Sequence, residues 1–302
     1  MTSILFCANP FDSSIPNEMW EEEFKIASSI GQCYLLDEMA FQEDNIVRAI
    51  RKLPKIDASS SKLESLIYHG WMMTPEKYGD FYSALTEKGY ALINSFSSYK
   101  ECHHINEWIV NLSRFTPNSI IIESTSINTI VKSIIDHFKG KPVIIKDFVK
   151  SKKHNWFDAC FIPNTKDVVN VARVVANFMK LSEDEGGIQG GIVAREYVEL
   201  RKIGTYSKSE MPISEEYRAF VYKGKIISYS QYWEEGEYPF LTLPRDRFIK
   251  DIIERIHSNF FTIDIGIKAN GKPIVIEVGD GQVSSLPDKA NKVEFYTELF
   301  TS

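Results

Sequence analysis

The stretch 260–287, FFTIDIGIKANGKPIVIEVGDGQVSSLP, constrains the fold of this chain more than any other part of the sequence. It holds two apolar runs, FFTIDIGI and PIVIEVG, joined by a short link that contains Asn270-Gly271, a strong signal for a β-hairpin. Each run carries one carboxylate, Asp264 in the first and Glu277 in the second. Because an acidic side chain inside an apolar strand is costly to bury without a cation, the two residues either face solvent or hold a cation together.

A third carboxylate follows the hairpin, in the tight turn Gly279-Asp280-Gly281. Glycine on both sides of Asp280 lets the backbone turn sharply, so we expect this carboxylate to converge with Asp264 and Glu277 at one end of the hairpin. Oxygen ligands on rigid strands suit Mg²⁺, which usually keeps some waters and shares its ligands with substrate phosphates. The sequence therefore predicts a magnesium site. Two alternatives remain for Asp280: it caps the turn, or it holds the amine of a substrate.

Composition and charge exclude several classes of partner. The chain has 302 residues and a formal net charge of −6, whereas nucleic acids and anionic membranes select basic surfaces. No apolar run approaches the length that spans a bilayer, and the first residues carry neither a basic segment nor a cleavage pattern. The four cysteines, Cys7, Cys33, Cys102 and Cys160, have no CxxC spacing and are expected to be reduced thiols. We therefore expect a cytoplasmic protein without nucleic-acid or membrane partners.

Residues 1–95 alternate short apolar runs with amphipathic segments. The runs SILFCA, 33–36, 65–68 and YALIN are predicted strands, and 17–30 and 75–88 are predicted helices. Strands that alternate with helices indicate a mostly parallel sheet, so this part is predicted to be a small α/β domain. The sequence contains no GxGxxG pattern there, so a dinucleotide site is not supported.

Three basic features stand out in this acidic chain. Lys146 lies within the apolar strand VIIKDFV, where it either extends to solvent or meets a bound anion. The basic run KSKKH at 150–154 is either a solvated loop or a mobile cover over phosphates. Arg218 lies in the predicted strand EEYRAFVY, where it either binds phosphate or carboxylate or pairs with a neighbour such as Glu277. These cations favour an anion site but leave each alternative open.

Taken in chain order, several segments resemble the ATP-grasp superfamily over roughly residues 90–287. They are INSFSSYKECHHINEWIVNLSRFTPNSIIIES, VIIKDFV, REYVEL, EEYRAFVYKGKIIS and FFTIDIGIKANGKPIVIEVGDG. KDFVKSKKHNWFDACFIP, GWMMTPEKY and GDGQVSSLP look like signatures of the third family in a divergent clade named for one arginine and two lysines. The resemblance implies an α/β (α+β) protein with an ATP-grasp domain over 96–302, in two subdomains of about 96–185 and 186–302. A Rossmann-like pre-ATP-grasp domain over 1–95 would precede it.

The resemblance also implies a nucleotide site with ATP as the ligand. Lys100 and Lys146 would be the two lysines of the clade and Arg218 its arginine. The catalytic residues would be Arg218, Lys146 and Lys150. The strand REYVEL would hold adenine at its hinge, through Arg195, Glu196, Tyr197 and Val198.

For the metal, the resemblance implies that Asp264 and Glu277 bind Mg²⁺. Most ATP-grasp ligases have Asn two residues after the second metal carboxylate, and here Gly279 stands at that position. We expect Asp280, one residue further on, to supply the missing oxygen.

The implied reaction is attack of a carboxylate on the γ-phosphate of ATP to give an acylphosphate, from which an amine displaces phosphate. Small molecules, peptides or proteins would supply the two substrates, and the lysine and metal set favours this ligase activity. The missing Asn favours an alternative, an ATP-binding module that assembles a protein partner, as similarity to the eukaryotic assembly chaperone for translation initiation factor two allows. A phosphotransferase that stops at phosphorylation is a third interpretation. Candidates to line the substrate site, although aromatic residues more often lie in the core, are Trp71, Trp156, Trp233, Tyr232 and His154.

Overall fold

This computed structural model describes residues 2–56, 63–206, 210–238 and 241–301 of the protein. These ranges form three four-stranded sheets and one two-stranded ribbon. None of the helices within them is both long enough and apolar enough to cross a membrane.

The N-terminal part alternates strands and helices, as predicted. Its elements are β1 (Thr2–Cys7), α1 (Glu21–Ile30), β2 (Cys33–Leu36), α2 (Glu38–Gln42), α3 (Ile46–Ala49), β3 (Glu64–His69), α4 (Pro75–Glu87) and β4 (Tyr90–Leu92). The strands pair in parallel in the order β2-β1-β3-β4, which confirms the predicted parallel sheet. Ile4, Leu5 and Phe6 of β1 are all fully buried, as a parallel strand covered on both faces requires. The short helices α2 and α3 were not predicted.

The middle part forms a second sheet, which is antiparallel. Its elements are α5 (Phe96–His103), α6 (Ile105–Trp108), β5 (Ser119–Ile122), α7 (Ile127–Phe138), β6 (Val143–Asp147), β7 (Phe161–Ile162), α8 (Val168–Asp184) and β8 (Ile192–Glu196). The strand order is β5-β8-β6-β7, and apolar residues of α7 and α8 form one buried cluster with the sheet. The helical segment between residues 96 and 108 is broken at His104, whose backbone is extended, with φ −105° and ψ 119°.

The C-terminal part contains the predicted acidic hairpin. Its elements are β9 (Lys202–Thr205), β10 (Pro212–Ser214), β11 (Glu216–Tyr222), β12 (Lys225–Gln231), α9 (Asp246–Ile253), β13 (Phe260–Ile267), β14 (Pro273–Asp280) and α10 (Lys292–Thr301). β9 and β10 form the ribbon, and the third sheet is antiparallel in the order β12-β11-β13-β14. The predicted acidic hairpin is formed by β13 and β14, and a second hairpin is formed by β11 and β12. Lys223 and Gly224 both have positive φ, of 47° and 80°, which favours the tight two-residue turn between β11 and β12.

The C-terminal helix α10 packs back on the N-terminal part. The Tyr296 hydroxyl donates to Glu23 on α1 at 2.5 Å, and Lys292 forms an ion pair with Glu22. A Cβ added to Gly31, which follows α1, would lie 2.4 Å from the ring of Phe300, so glycine permits this close approach. The N-terminal core therefore includes a helix from beyond the predicted boundary at residue 95.

Candidate functional site

A row of three charged side chains crosses the C-terminal sheet. Arg218 of β11 pairs in register with Asp264 of β13, which pairs in register with Glu277 of β14. Because directly opposite residues of an antiparallel pair point to the same face, all three side chains lie on one face of the sheet. This row is the part of the predicted site that the strand register fixes.

Arg218 and Asp264 form a bidentate ion pair. The guanidinium donates from Nε and from NH2 to the two carboxylate oxygens, at 2.8 Å each, and from NH1 to the carbonyl of Ser285 at 3.1 Å. Burial by itself lowers the pKa of Arg218, but Asp264 outweighs it and raises the pKa above its usual range. Of the two alternatives left open for Arg218, the structure shows the salt bridge, with Asp264 as the partner rather than Glu277.

Lys146 reaches the same row from the middle sheet. Its Nζ lies 2.6 Å from Oε2 of Glu277, and its side chain is only 5% exposed, compared with 32% for Glu277. The lysine therefore does not extend to solvent, because a carboxylate on the facing sheet holds it. One cation and one carboxylate join the two sheets at this point.

Asp280 does not join the other two carboxylates, contrary to the expected convergence. It lies three residues beyond Glu277 on β14, and alternation along a strand directs it to the opposite face. There it is fully buried and accepts hydrogen bonds from Asn94 Nδ2 at 2.6 Å and from the backbone N–H of Gln282 at 2.9 Å. Burial raises the pKa of Asp280 to about 7, against the effect of these donors.

The packing around Gly279 explains why this chain has no side chain at the position where Asn was expected. A Cβ at this position would lie 2.7 Å from Oγ1 of Thr262 and 2.9 Å from Oγ of Ser284. These two hydroxyls lie 3.1 Å apart, within hydrogen-bonding distance. An Asn side chain would therefore require these neighbours to move.

The two remaining lysines of the predicted site differ in position. Lys100 on α5 forms an ion pair with Glu107 on α6 at 3.1 Å, and its side chain is 42% exposed. Lys150 lies near His103, whose pKa is lowered to about 3 by burial and by the charges of His104, Lys146 and Lys150. His103 is therefore neutral at physiological pH and borders the cationic side of the site, a role that sequence reasoning missed.

The predicted adenine hinge contains one structural arginine. Arg195 is 2% exposed and donates to the carbonyl of Ile276 at 2.7 Å and to Oγ1 of Thr116 at 2.6 Å. Its side chain thus ties β8 to β14, which occupies the guanidinium with protein partners. Its backbone lies within β8, between β5 and β6, opposite Ser119 and Ile144.

The backbone after β8 remains available for a ligand. The N–H of Tyr197 donates to the carbonyl of Pro142 at 2.8 Å, and the Glu196 side chain accepts from Lys141 at 2.9 and 3.0 Å. Within the described ranges, the N–H and the carbonyl of Val198 have no hydrogen-bond partner. The predicted hinge therefore offers one unpaired backbone donor and one unpaired backbone acceptor, both at Val198.

The site extends to residues that sequence reasoning did not assign. Glu216 lies two residues before Arg218 on β11 and accepts from Trp233 Nε1 at 3.3 Å. Burial raises the pKa of Glu216 to about 7, against the hydrogen bond of Trp233 and the charges of Lys153 and Arg218. The signal was present in the sequence, because residues two apart on a strand share a face.

No sequence of a curated protein matches this chain. The solved structures that resemble it include the RimK domain protein ATP-grasp from Sphaerobacter thermophilus, with a TM-score of 0.60, 12% identity, and 99% of this chain and 98% of that one covered. The ATP-grasp ligase PsnB, complexed with minimal precursor, Mg and ADP, resembles it with a TM-score of 0.57 and 9% identity, and 99% of this chain and 96% of that one are covered. D-cycloserine synthetase DcsG resembles it with a TM-score of 0.56 and 11% identity, and 99% of this chain and 98% of that one are covered.

These likenesses cover nearly the whole chain and confirm the predicted ATP-grasp fold. A family model adds evidence from the sequence, since it matches residues 137–299, more than half of the chain. This matched part contains Lys146, Arg218, Asp264 and Glu277. The chain belongs to this family of ATP-grasp domains, which is family 3 of the clade named for one arginine and two lysines.

Proposed function

We propose that this chain is an ATP-dependent ligase that joins a carboxylate to an amine through an acylphosphate, with release of ADP and phosphate. One observation carries the proposal: Lys146 of the middle sheet contacts Glu277, which lies in one row with Asp264 and Arg218 on the C-terminal sheet. Cations held in place in this way stabilise the charge that develops on a transferred phosphoryl group. The ligase and synthetase named in two of the similar structures support the same reaction class.

The proposed nucleotide site combines the predicted hinge, which would bind adenine, with the lysines, which would bind the phosphates. Adenine presents a hydrogen-bond acceptor beside an amino donor, which complements the free N–H and carbonyl of Val198. Lys146 and Lys150 would contact the phosphates from the middle sheet, and Lys100 would contribute from α5. Each charge-assisted contact would contribute about 1.5 to 3 kcal/mol.

Asp264 and Glu277 fit a magnesium ion in chemistry, because both offer carboxylate oxygens from neighbouring strands. The described ranges contain no group of three or more His, Cys, Asp or Glu side chains that could hold a metal. Water and phosphate oxygens would therefore complete the ligand set, and Asp280 would take no part. When bound, the ion would neutralise phosphate charge.

In the first step, a substrate carboxylate oxygen bonds to the γ-phosphorus as the bond to the β-phosphate oxygen breaks, and ADP leaves. In the second step, the nitrogen of the neutral amine bonds to the acyl carbon, the bond from that carbon to the phosphate oxygen breaks, and the departing phosphate takes the proton that the amine loses. Lys146, Lys150 and Arg218 would stabilise the phosphoryl charge in both steps. Closure of the segment 150–154 would exclude water from the acylphosphate. No Ser, Cys or His nucleophile is required.

A second candidate function is ATP binding that assembles a protein partner without ligase turnover. Gly279 favours it, since packing excludes a side-chain oxygen there and leaves two carboxylates for the metal. The reaction products distinguish the ligase, the assembly module and the phosphotransferase.

The test is a screen for ADP release from Mg-ATP, with pooled amino acids, peptides and cell-extract proteins as acceptors. A ligase releases ADP only when a carboxylate and an amine are both present, and Lys146→Ala should lose this release. AMP and pyrophosphate would instead indicate adenylation. A phosphorylated carboxylate that persists with amine present would indicate a phosphotransferase. A nucleotide-dependent protein complex without acceptor-dependent ADP release would indicate the assembly module.

A further inference from the structure

Two aromatic residues at the end of β12 lie beside the charged row. The rings of Tyr232 and Trp233 are 5.0 Å apart and inclined at 77°. The guanidinium carbon of Arg218 lies 4.8 Å from the centre of the Tyr232 ring, and Glu216 accepts from the indole N–H of Trp233. The ring faces therefore adjoin a carboxylate that is fixed by its own hydrogen bond. We call Tyr232, Trp233 and Glu216 the aromatic subsite.

An ammonium group of this chain already lies over the aromatic subsite. Lys153, in the basic run at 150–154, places its Nζ 4.8 Å from the ring centre of Trp233 and 5.5 Å from that of Tyr232. Within the described ranges, this Nζ has no carboxylate within 4.0 Å, although its charge opposes the rise in the pKa of Glu216. Its neighbour Lys152 is paired with Glu185 at 2.9 Å, so the two lysines are held in different ways.

We propose that the aromatic subsite binds an ammonium group of the amine substrate, and that Lys153 competes with it for the ring faces. This inference rests on the proposed ligase function and specifies the acceptor as a molecule with a cationic amine. The carboxylate substrate would bind on the cationic side of the site, near Lys146, Lys150 and Arg218. Ring faces and a carboxylate suit the opposite charge, because the negative face of an aromatic ring attracts a cation.

Exchange between the two ammonium groups is feasible because, among the described residues, no carboxylate lies within 4.0 Å of the Lys153 ammonium. A phosphate bound at Lys146 would also attract the Lys153 ammonium and so leave the Trp233 ring to the substrate, while Arg218 stays over the Tyr232 ring. A neutral or anionic acceptor of the same shape would gain nothing from this arrangement. Charge selectivity is therefore the property that distinguishes a binding subsite from a contact that only holds the loop.

The experiment measures binding of n-butylammonium and of its neutral counterpart butan-1-ol to the full chain, by ligand-observed NMR titration at neutral pH. Lys153→Gln should bind n-butylammonium about three- to tenfold more tightly than wild type, because the internal competitor is gone. The matched control is Lys180→Gln, since Lys180 is an exposed lysine on α8 and this change alters the net charge equally. Butan-1-ol should bind all three proteins equally.

Two further variants test the subsite itself in the Lys153→Gln background. Trp233→Leu and Glu216→Gln should each weaken n-butylammonium binding, by about threefold or more. Glu216→Gln keeps the size of the side chain and decides the matter if Trp233→Leu does not fold. Equal binding by Lys153→Gln and Lys180→Gln, or an equal gain for butan-1-ol, would overturn the proposal. Because no turnover is measured, failure here is distinct from failure of the ligase function, which the ADP-release screen tests.

Discussion

Lys146 and Glu277 lie on strands of two different sheets, yet Nζ and Oε2 are 2.6 Å apart. The lysine is almost fully buried, whereas the glutamate keeps about a third of its side chain exposed. The pair therefore has one buried cation that needs an anion and one carboxylate that a ligand can reach. A bound phosphate would take the place of Glu277 beside Lys146, and a bound metal ion would take the place of Lys146 beside Glu277.

The Lys146→Ala variant should lose the rise in melting temperature that Mg-ATP gives to the wild type. Loss of one charge-assisted phosphate contact lowers nucleotide affinity by about ten- to a hundredfold. Thermal-shift titration with Mg-ATP measures this, with Lys180→Ala as the control for a lost surface charge. A full ligand-induced rise in Lys146→Ala would remove this lysine from the nucleotide site.

Glu277→Gln should raise the Mg²⁺ concentration required for ATP turnover, because it removes one of two carboxylates that fit the ion. Asp280→Asn should leave that requirement unchanged, since Asp280 lies on the other face of β14 and is bound by Asn94 and Gln282. Magnesium titrations of ADP release compare the two variants. A higher requirement in Asp280→Asn alone would restore Asp280 to the metal site.

Asp280 should make the protein less stable as the pH rises from about 4 to about 7. Its pKa in the folded chain is about 7, compared with 3.8 for the ordinary value, so the folded state retains a proton that the unfolded state has lost. The stabilising contribution is full below pH 4 and lost above pH 7, and it amounts to at most about 4 kcal/mol.

Urea unfolding across this pH range, in wild type and in Asp280→Asn, measures the contribution of Asp280. Glu216 has a raised pKa with the same sign, so Glu216→Gln serves as the comparison. The slope with pH should be smaller in Asp280→Asn than in wild type. Identical slopes in these two proteins would show that Asp280 is ionised in the folded state.

Gly279→Ala should destabilise the protein by about 1 to 3 kcal/mol, because the added methyl meets the hydroxyls of Thr262 and Ser284. Removing one of these hydroxyls should relieve part of the clash. Urea unfolding of Gly279→Ala, Thr262→Ala and the double variant should therefore give a coupling of at least about 0.5 kcal/mol. Strictly additive effects would mean that the methyl is accommodated elsewhere.

The sequence was sufficient where a pattern acts locally. The Asn-Gly link and the two apolar runs predicted β13 and β14, and one acidic residue on each run gave the Asp264 and Glu277 pair. Lys146 and Arg218 were also evident from the sequence, and the family resemblance added their expected roles, Lys100 and the ATP-grasp fold. The prediction that Asp280 converges with Asp264 and Glu277 was wrong. Side chains alternate between faces along β14, so Asp280 lies on the face opposite Glu277, and the neighbouring glycines do not reverse that orientation.

Other parts of the site depend on contacts that no local pattern encodes. Lys146 meets Glu277 only because two sheets face each other, across 131 residues of sequence. The contact of Lys153 with Trp233 likewise joins the middle part to the end of β12. The extended backbone of His104 interrupts a segment with helical periodicity, and the packing of α10 on α1 brings together opposite ends of the chain.

That last packing has a consequence for synthesis on the ribosome. The first 95 residues emerge early, but Phe295, Tyr296 and Leu299 of α10, which are buried in the same core, are translated roughly 200 residues later. At about 5 to 20 residues per second, the early segment would wait roughly 10 to 40 seconds for this cover. During that time the nascent chain exposes the apolar surface that α10 later protects, and a chaperone that shields it would have to stay bound until α10 has formed.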